Sequence, residues 1–220
     1  MYAFFWFIFI SIVAANIGLQ YYLRQGSASQ NKASSTDAEF KAFQKNYFVI
    51  YWAVMFSDWL QGPYTYALYE SYGYSRSEIA TLFIIGFGAS LVFGTVTGAF
   101  ADKYGRKRMC MAFGVIYATS CLLKAVNSFT ILMFARILAG ISTSLLYSVF
   151  EAWMVTEHKR RHFPDEWLGD TFSTATFGNG LAAILAGLIA SALAAQFGYV
   201  APFMLAMLCL LGVPILIITG

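Results

Sequence analysis

Charge is scarce in this 220-residue chain: Asp, Glu, Lys and Arg make up 11% of it, where an ordinary soluble domain carries about 25%. That deficit excludes a soluble globular protein. Cysteine is sparse too, with Cys110, Cys121 and Cys209 lying in apolar runs and forming no CxxC or CxxxC pair. A disulfide scaffold is excluded, and the three are expected as small buried apolar residues. Polar low-complexity sequence is confined to one stretch, which excludes disorder. A net charge of +3 from 14 basic and 11 acidic residues leaves no basic footprint for nucleic acid. Also missing are a nucleophile elbow, a phosphate-cradling glycine loop and an HExxH pair, so neither an enzyme nor an ATP-driven pump is expected. His158 and His162 flank a basic run at a spacing that matches no strong metal pattern. They are expected in a solvated loop, with no metal and no cofactor.

In place of charge the chain has hydrophobicity, 59% of its residues, and aromatics, 18%. A spanning helix needs about 20 mainly apolar residues. Charges and turn residues cut the chain into seven such pieces, at 2–23, 47–69, 79–101, 109–125, 130–155, 167–195 and 200–219. The first has no basic residue before it and is longer than a signal core, so a retained helix is expected. Residues 24–46 form a polar linker in which Phe40 and Phe43 are spaced for one face of a short interfacial segment. Gly198 and Pro202 suit a tight turn between the last two pieces. Seven spans place eleven of the 14 Lys and Arg on one side, including Lys103, Arg106, Lys107 and Arg108. Only Arg76 and Lys124 fall on the other, and Arg136 lies within a helix. By the positive-inside rule the N-terminus is outside and Gly220 cytoplasmic.

The third and fourth pieces are joined by Gly98, Asp102, Gly105, Arg106 and Lys107 in a G-x-x-x-D-x-x-G-R-K arrangement. Gly105 permits a tight turn, Gly98 lets helices approach, and Asp102 and Arg106 can exchange charge-assisted hydrogen bonds. This loop resembles the one joining the second and third helices of the major facilitator superfamily. Arg136 and Gly140 look like the R-x-x-x-G pattern of its fourth helix. Within the superfamily, the run from Asp58 through Gln61, Gly62 and Pro63 to Tyr64, the run Phe150 to Trp153 and the run Arg161 to Trp167 resemble the molybdate-anion transporter family. The resemblance implies a multi-pass plasma-membrane protein that takes up molybdate by alternating access. It also implies an all-α architecture of seven transmembrane helices: an extra N-terminal helix (1–23), the polar cytoplasmic linker (24–46) and one six-helix major facilitator half (47–220) built from two inverted three-helix repeats. Such transporters have two six-helix halves, so this chain corresponds to the N-terminal half. Its partners would be the lipid bilayer, the small anion, and a missing C-terminal half or a second copy. Two alternatives stand beside molybdate uptake: transport of another oxyanion or organic anion, and a non-transporting half-length assembly partner.

A charge at the centre of a span costs on the order of 2.5 to 3.5 kcal/mol on insertion scales. Asp58, Arg136 and Glu151 therefore each need a reason. At 100° per residue Tyr47, Tyr51, Asp58, Thr65 and Tyr69 share one face with Gln61 beside them, and Arg136, Gly140, Thr143, Ser144, Tyr147 and Glu151 share another. Two polar stripes suggest the walls of a water-filled cavity. Arginine offers a tetrahedral oxyanion several fixed donors, so Arg136, helped by Gln61, Thr143, Ser144 and Tyr147, is the candidate anion site. Asp58 is then a coupling or gating carboxylate. The alternative is a buried Asp58–Arg136 structural pair. Glu151 is a candidate gate latch within reach of Arg106, and Pro63 either a flexible break or a tolerated kink. Asn179, on a small-residue face, is expected to bond between helices, and Gly94 with Gly98 to pack them closely.

Overall fold

A computed structural model describes residues 10, 11, 13–19, 21, 22 and 35–219. The described residues of the first predicted span are helical; the rest of that span, and the linker up to residue 34, lie outside the described residues. The chain divides into two units, 1–39 and 40–220. Helices α1 (Ser35–Gln61), α2 (Thr65–Ser71), α3 (Arg76–Tyr104), α4 (Arg106–Leu123), α5 (Phe129–Arg160), α6 (Glu166–Phe197) and α7 (Ala201–Thr219) follow one another through short turns. Every predicted apolar piece from residue 47 onward coincides with a helix, α1 and α2 together forming the first. The chain is an all-α membrane protein. Among the described residues four helices, α3, α5, α6 and α7, are long and apolar enough to cross a membrane. Helix α1 opens polar, and α4 starts on Arg106, Lys107 and Arg108, which dilutes their hydropathy.

The ends are set by local chemistry. Ser75 caps α3: its amide donates to the Glu78 carboxylate at 2.8 Å and its hydroxyl accepts from the Glu78 amide. A capping residue of this kind contributes about 1 kcal/mol. Helix α3 ends at Gly105, whose φ of 93° a side chain would strain, and whose amide donates to Ala101 O at 3.0 Å. Gly198 closes α6 in the same way, at φ 83°.

One expectation is corrected at the start of α1. Residues 35–46 are not linker but the first turns of the helix, because Phe40 and Phe43 are buried against aromatic partners. Phe40 meets His158 and Phe163 edge-on and tilts against Trp167. His158, expected in a solvated loop, is fully buried there and contacts Pro164 O at 2.9 Å. Burial of an aromatic face outweighs the polarity of its sequence neighbours.

Helix α3 packs most extensively on α5, and α4 on both α5 and α7. The α3–α5 crossing is backbone to backbone: a Cβ on Gly140 would lie 2.3 Å from Gly86 O and 2.8 Å from Ser90 N. Gly98, expected to bring helices together, instead faces open space among the described residues, and a Cβ on Gly94 would make only ordinary contact with Ser144 at 3.6 Å. The close approach falls one pair of turns earlier. On α6, Gly178 lies under Trp52 of α1, and Asn179 accepts from Trp59 Nε1 at 2.9 Å, the interhelical bond expected of it.

Candidate functional site

Helix α1 stops at Gln61 because Gly62, Pro63 and Tyr64 form a single 3-10 turn before α2 resumes. Pro63 lacks the amide that would continue the α-helical ladder. The break sits at the rim of a cavity of about 280 Å³ between α1, α3, α4 and α5. Among the predicted residues, Asp58, Gln61, Thr143, Tyr147 and Arg136 line it together. Of the two stripes drawn from helical periodicity, Asp58, Gln61 and Thr65 line it with Arg136, Gly140, Thr143 and Tyr147, whereas Tyr47, Tyr51, Tyr69 and Glu151 do not.

Arg136 is half-buried and its place is made by glycine. A Cβ on Gly86 would lie 2.7 Å from its guanidinium. The Nε of Arg136 donates to Leu82 O at 3.2 Å, and the flat group lies over Phe83, 4.6 Å from the ring centroid. Stacking occupies a face of the guanidinium and leaves its in-plane N–H groups pointing elsewhere. No carboxylate stands within ion-pair distance of Arg136 among the described residues. The buried Asp58–Arg136 pair is not formed. Asp58 instead accepts a hydrogen bond of 2.6 Å from the Tyr117 hydroxyl on α4.

Lys124 is the residue that sequence reasoning misplaced. Counted as a loop cation, it is 1% exposed and lines the same cavity. Its Nζ donates to Gln61 Oε1 at 2.8 Å and lies over Phe203 and Tyr117, 5.0 and 5.8 Å from their centroids. Its position at the very end of an apolar segment was the available signal, since a cation there can fold back along its own helix. Gly86 and Tyr117 were missed as well. Neither carries a charge that would single it out in a sequence.

Other candidates lie elsewhere. Ser144 is turned into the α3–α5 seam, where its hydroxyl donates to Ser90 O at 2.7 Å, and it is not on the cavity wall. At the basic end of the bundle, Arg106 donates to Asp102 at 2.9 Å, to Ala152 O at 2.8 Å and to the Thr156 hydroxyl. It does not bond Glu151, which is exposed and makes no hydrogen bond or ion pair among the described residues, its charge acting only on Tyr47 and Tyr51. Glu157 takes Arg160 and Arg161. Asp102, Gly105 and Arg106 line a second, open depression of about 740 Å³ at this end.

Apolar helices of spanning length enclose a cavity lined by two cations and a carboxylate, and one helix is broken beside it; this is the architecture of a multi-spanning membrane protein with an interior polar site. The chain belongs to the major facilitator family described as sugar transporters with twelve transmembrane segments, whose pattern it matches over residues 4–220. It is 40% identical over 205 residues to a molybdate-anion transporter of Takifugu rubripes, covering 91% of this chain and 42% of that protein. A molybdate-anion transporter of Xenopus tropicalis is 36% identical over 194 residues, 88% of this chain and 43% of its own length. That of Danio rerio is 36% identical over 202 residues, 90% and 42%. The chain thus spans less than half the length of the curated relatives it matches.

Proposed function

We propose that this chain is the N-terminal half of a secondary transporter that takes up molybdate or a closely similar oxyanion by alternating access across the plasma membrane. The observation that supports it most directly is Arg136: a guanidinium on the wall of an interior cavity, bonded to one carbonyl and to no carboxylate among the described residues. Arg136 draws in the anion, and Gln61, Thr143 and Tyr147 orient it. Asp58, held by Tyr117 on the same cavity, serves as the coupling or gating carboxylate. The turn at Pro63 gives α1 and α2 a joint on which the halves can rock. Asp102, Gly105 and Arg106 form the cytoplasmic clasp, and Glu151 belongs to the gate on that side, its partner supplied by the second half or a second copy. The N-terminus is outside, and residues 47–220 form the six-helix bundle of two inverted repeats.

The family's description as sugar transporters supports a second reading, a neutral carbohydrate substrate. One experiment separates them. Cells expressing the protein from its full reading frame are given molybdate, and accumulated molybdenum is measured by mass spectrometry beside uptake of a labelled hexose. Molybdate uptake that is lost on Arg136→Lys supports the oxyanion reading. Hexose uptake without molybdate uptake would overturn it.

A further inference from the structure

We infer that Lys124 is a second anion ligand of the cavity and that, together with Arg136, it makes the site selective for doubly charged tetrahedral oxyanions over singly charged ones. The inference rests on the oxyanion reading above and deepens it.

It starts from a count of donors. A lysine ammonium has three N–H groups, and Lys124 gives one of them to the neutral Gln61 amide. The faces of Phe203 and Tyr117 lie beside it, and the charge of Asp58 acts on it from beyond hydrogen-bonding distance. No carboxylate lies within ion-pair distance among the described residues. A guanidinium has five N–H groups, and Arg136 gives one to Leu82 O. Buried donors normally find partners, and a buried cation normally finds an anion. Here two cations face one cavity, both with donors to spare, and the acid on the same wall, Asp58, is engaged by Tyr117.

Two cations with unused donors beside a single carboxylate suit a ligand made of acceptors. A sugar hydroxyl both donates and accepts, so it would leave the excess unmatched. An oxyanion with four oxygens offers acceptors in every direction, and each oxygen gains a charge-assisted bond. Charge settles which oxyanion: two cations against one carboxylate leave an attractive field that rewards the second negative charge of the ligand. Gln61 completes the arrangement, because its carbonyl oxygen holds the ammonium in place until the ligand competes for it.

The test titrates the protein, expressed from its full reading frame and reconstituted in lipid nanodiscs, with molybdate and with perrhenate. These are tetrahedral ions of similar size carrying two charges and one, and binding is read from ligand-dependent thermal unfolding. The wild type is expected to bind molybdate at least about tenfold more tightly than perrhenate. Lys124→Met and Lys124→Gln should each bring that ratio close to one while perrhenate affinity stays within about threefold of wild type. The glutamine variant keeps an amide contact with Gln61 if methionine does not fold. An unchanged ratio in Lys124→Gln overturns the assignment, as does loss of both anions together, which marks Lys124 as scaffold. A wild type that binds both anions equally overturns it without any variant. If the wild type binds neither, the oxyanion reading itself falls.

Discussion

The cavity and the basic end of the same bundle use the same cations in opposite ways. At the basic end Arg106 meets Asp102, and Arg160 and Arg161 meet Glu157, with the arginine side chains 32%, 70% and 33% exposed. Each of these arginines reaches a carboxylate and water is close, so each pair contributes little and breaks easily. In the cavity Lys124 is buried and Arg136 half-buried, and the neighbours of both are amide oxygens and aromatic faces. Asp58 shares that cavity but forms an ion pair with neither of them, so both keep N–H groups that folding does not use. The difference teaches where binding chemistry resides: in donors left over after folding, not in the number of charges.

Changing one member of each arrangement sharpens the contrast. Arg136→Gln should reduce molybdate uptake by about a hundredfold or more while the protein still inserts, since truncating a desolvated ionic contact costs on the order of 2–5 kcal/mol; uptake normalised to surface expression measures it. Gly140→Ala comes next. Its methyl group would meet Gly86 O and Ser90 N, so thermal stability in detergent should fall by about 1–3 kcal/mol. Arg106→Ala removes the links from α4 to Ala152 O and Thr156 and is expected to cost about 1–2 kcal/mol of stability in the same assay. Glu157→Gln should cost no more than about 1 kcal/mol, and the loss should shrink when ionic strength is raised. Gly98→Ala, facing open space among the described residues, should leave the stability of the bundle within about 0.5 kcal/mol. A large effect there would place a further segment of the transporter against that face.

How far the site was legible depended on whether its members carried a periodic signal. Asp58, Gln61, Thr143, Tyr147 and Arg136 repeat on helical faces of otherwise apolar segments, and polarity in such a segment is costly enough to be conspicuous. Ser144 shared that face and still turned into the seam, because the close α3–α5 crossing offered its hydroxyl the Ser90 carbonyl. Gly86 was silent: only the arrival of Arg136 from another helix gives its missing side chain a meaning. Lys124 was misread since a cation at a helix end looks like a topology marker until Gln61 is seen beside it. Phe40 and Phe43 were read as interfacial for want of His158 and Phe163.

The sequence by itself determined the class and the segmentation of this protein. Scarcity of charge, runs of spanning length and glycine at the turns are local properties, and the bilayer reads them locally, requiring each backbone polar group to be satisfied within its own helix. Which polar residues share a cavity was decided only by the tertiary structure. On one side of that cavity α3 and α5 meet closely because Gly140 lets the backbone of α5 touch Gly86 O and Ser90 N. That contact brings residues dozens of positions apart to within hydrogen-bonding distance, and no property of either residue taken alone contains it.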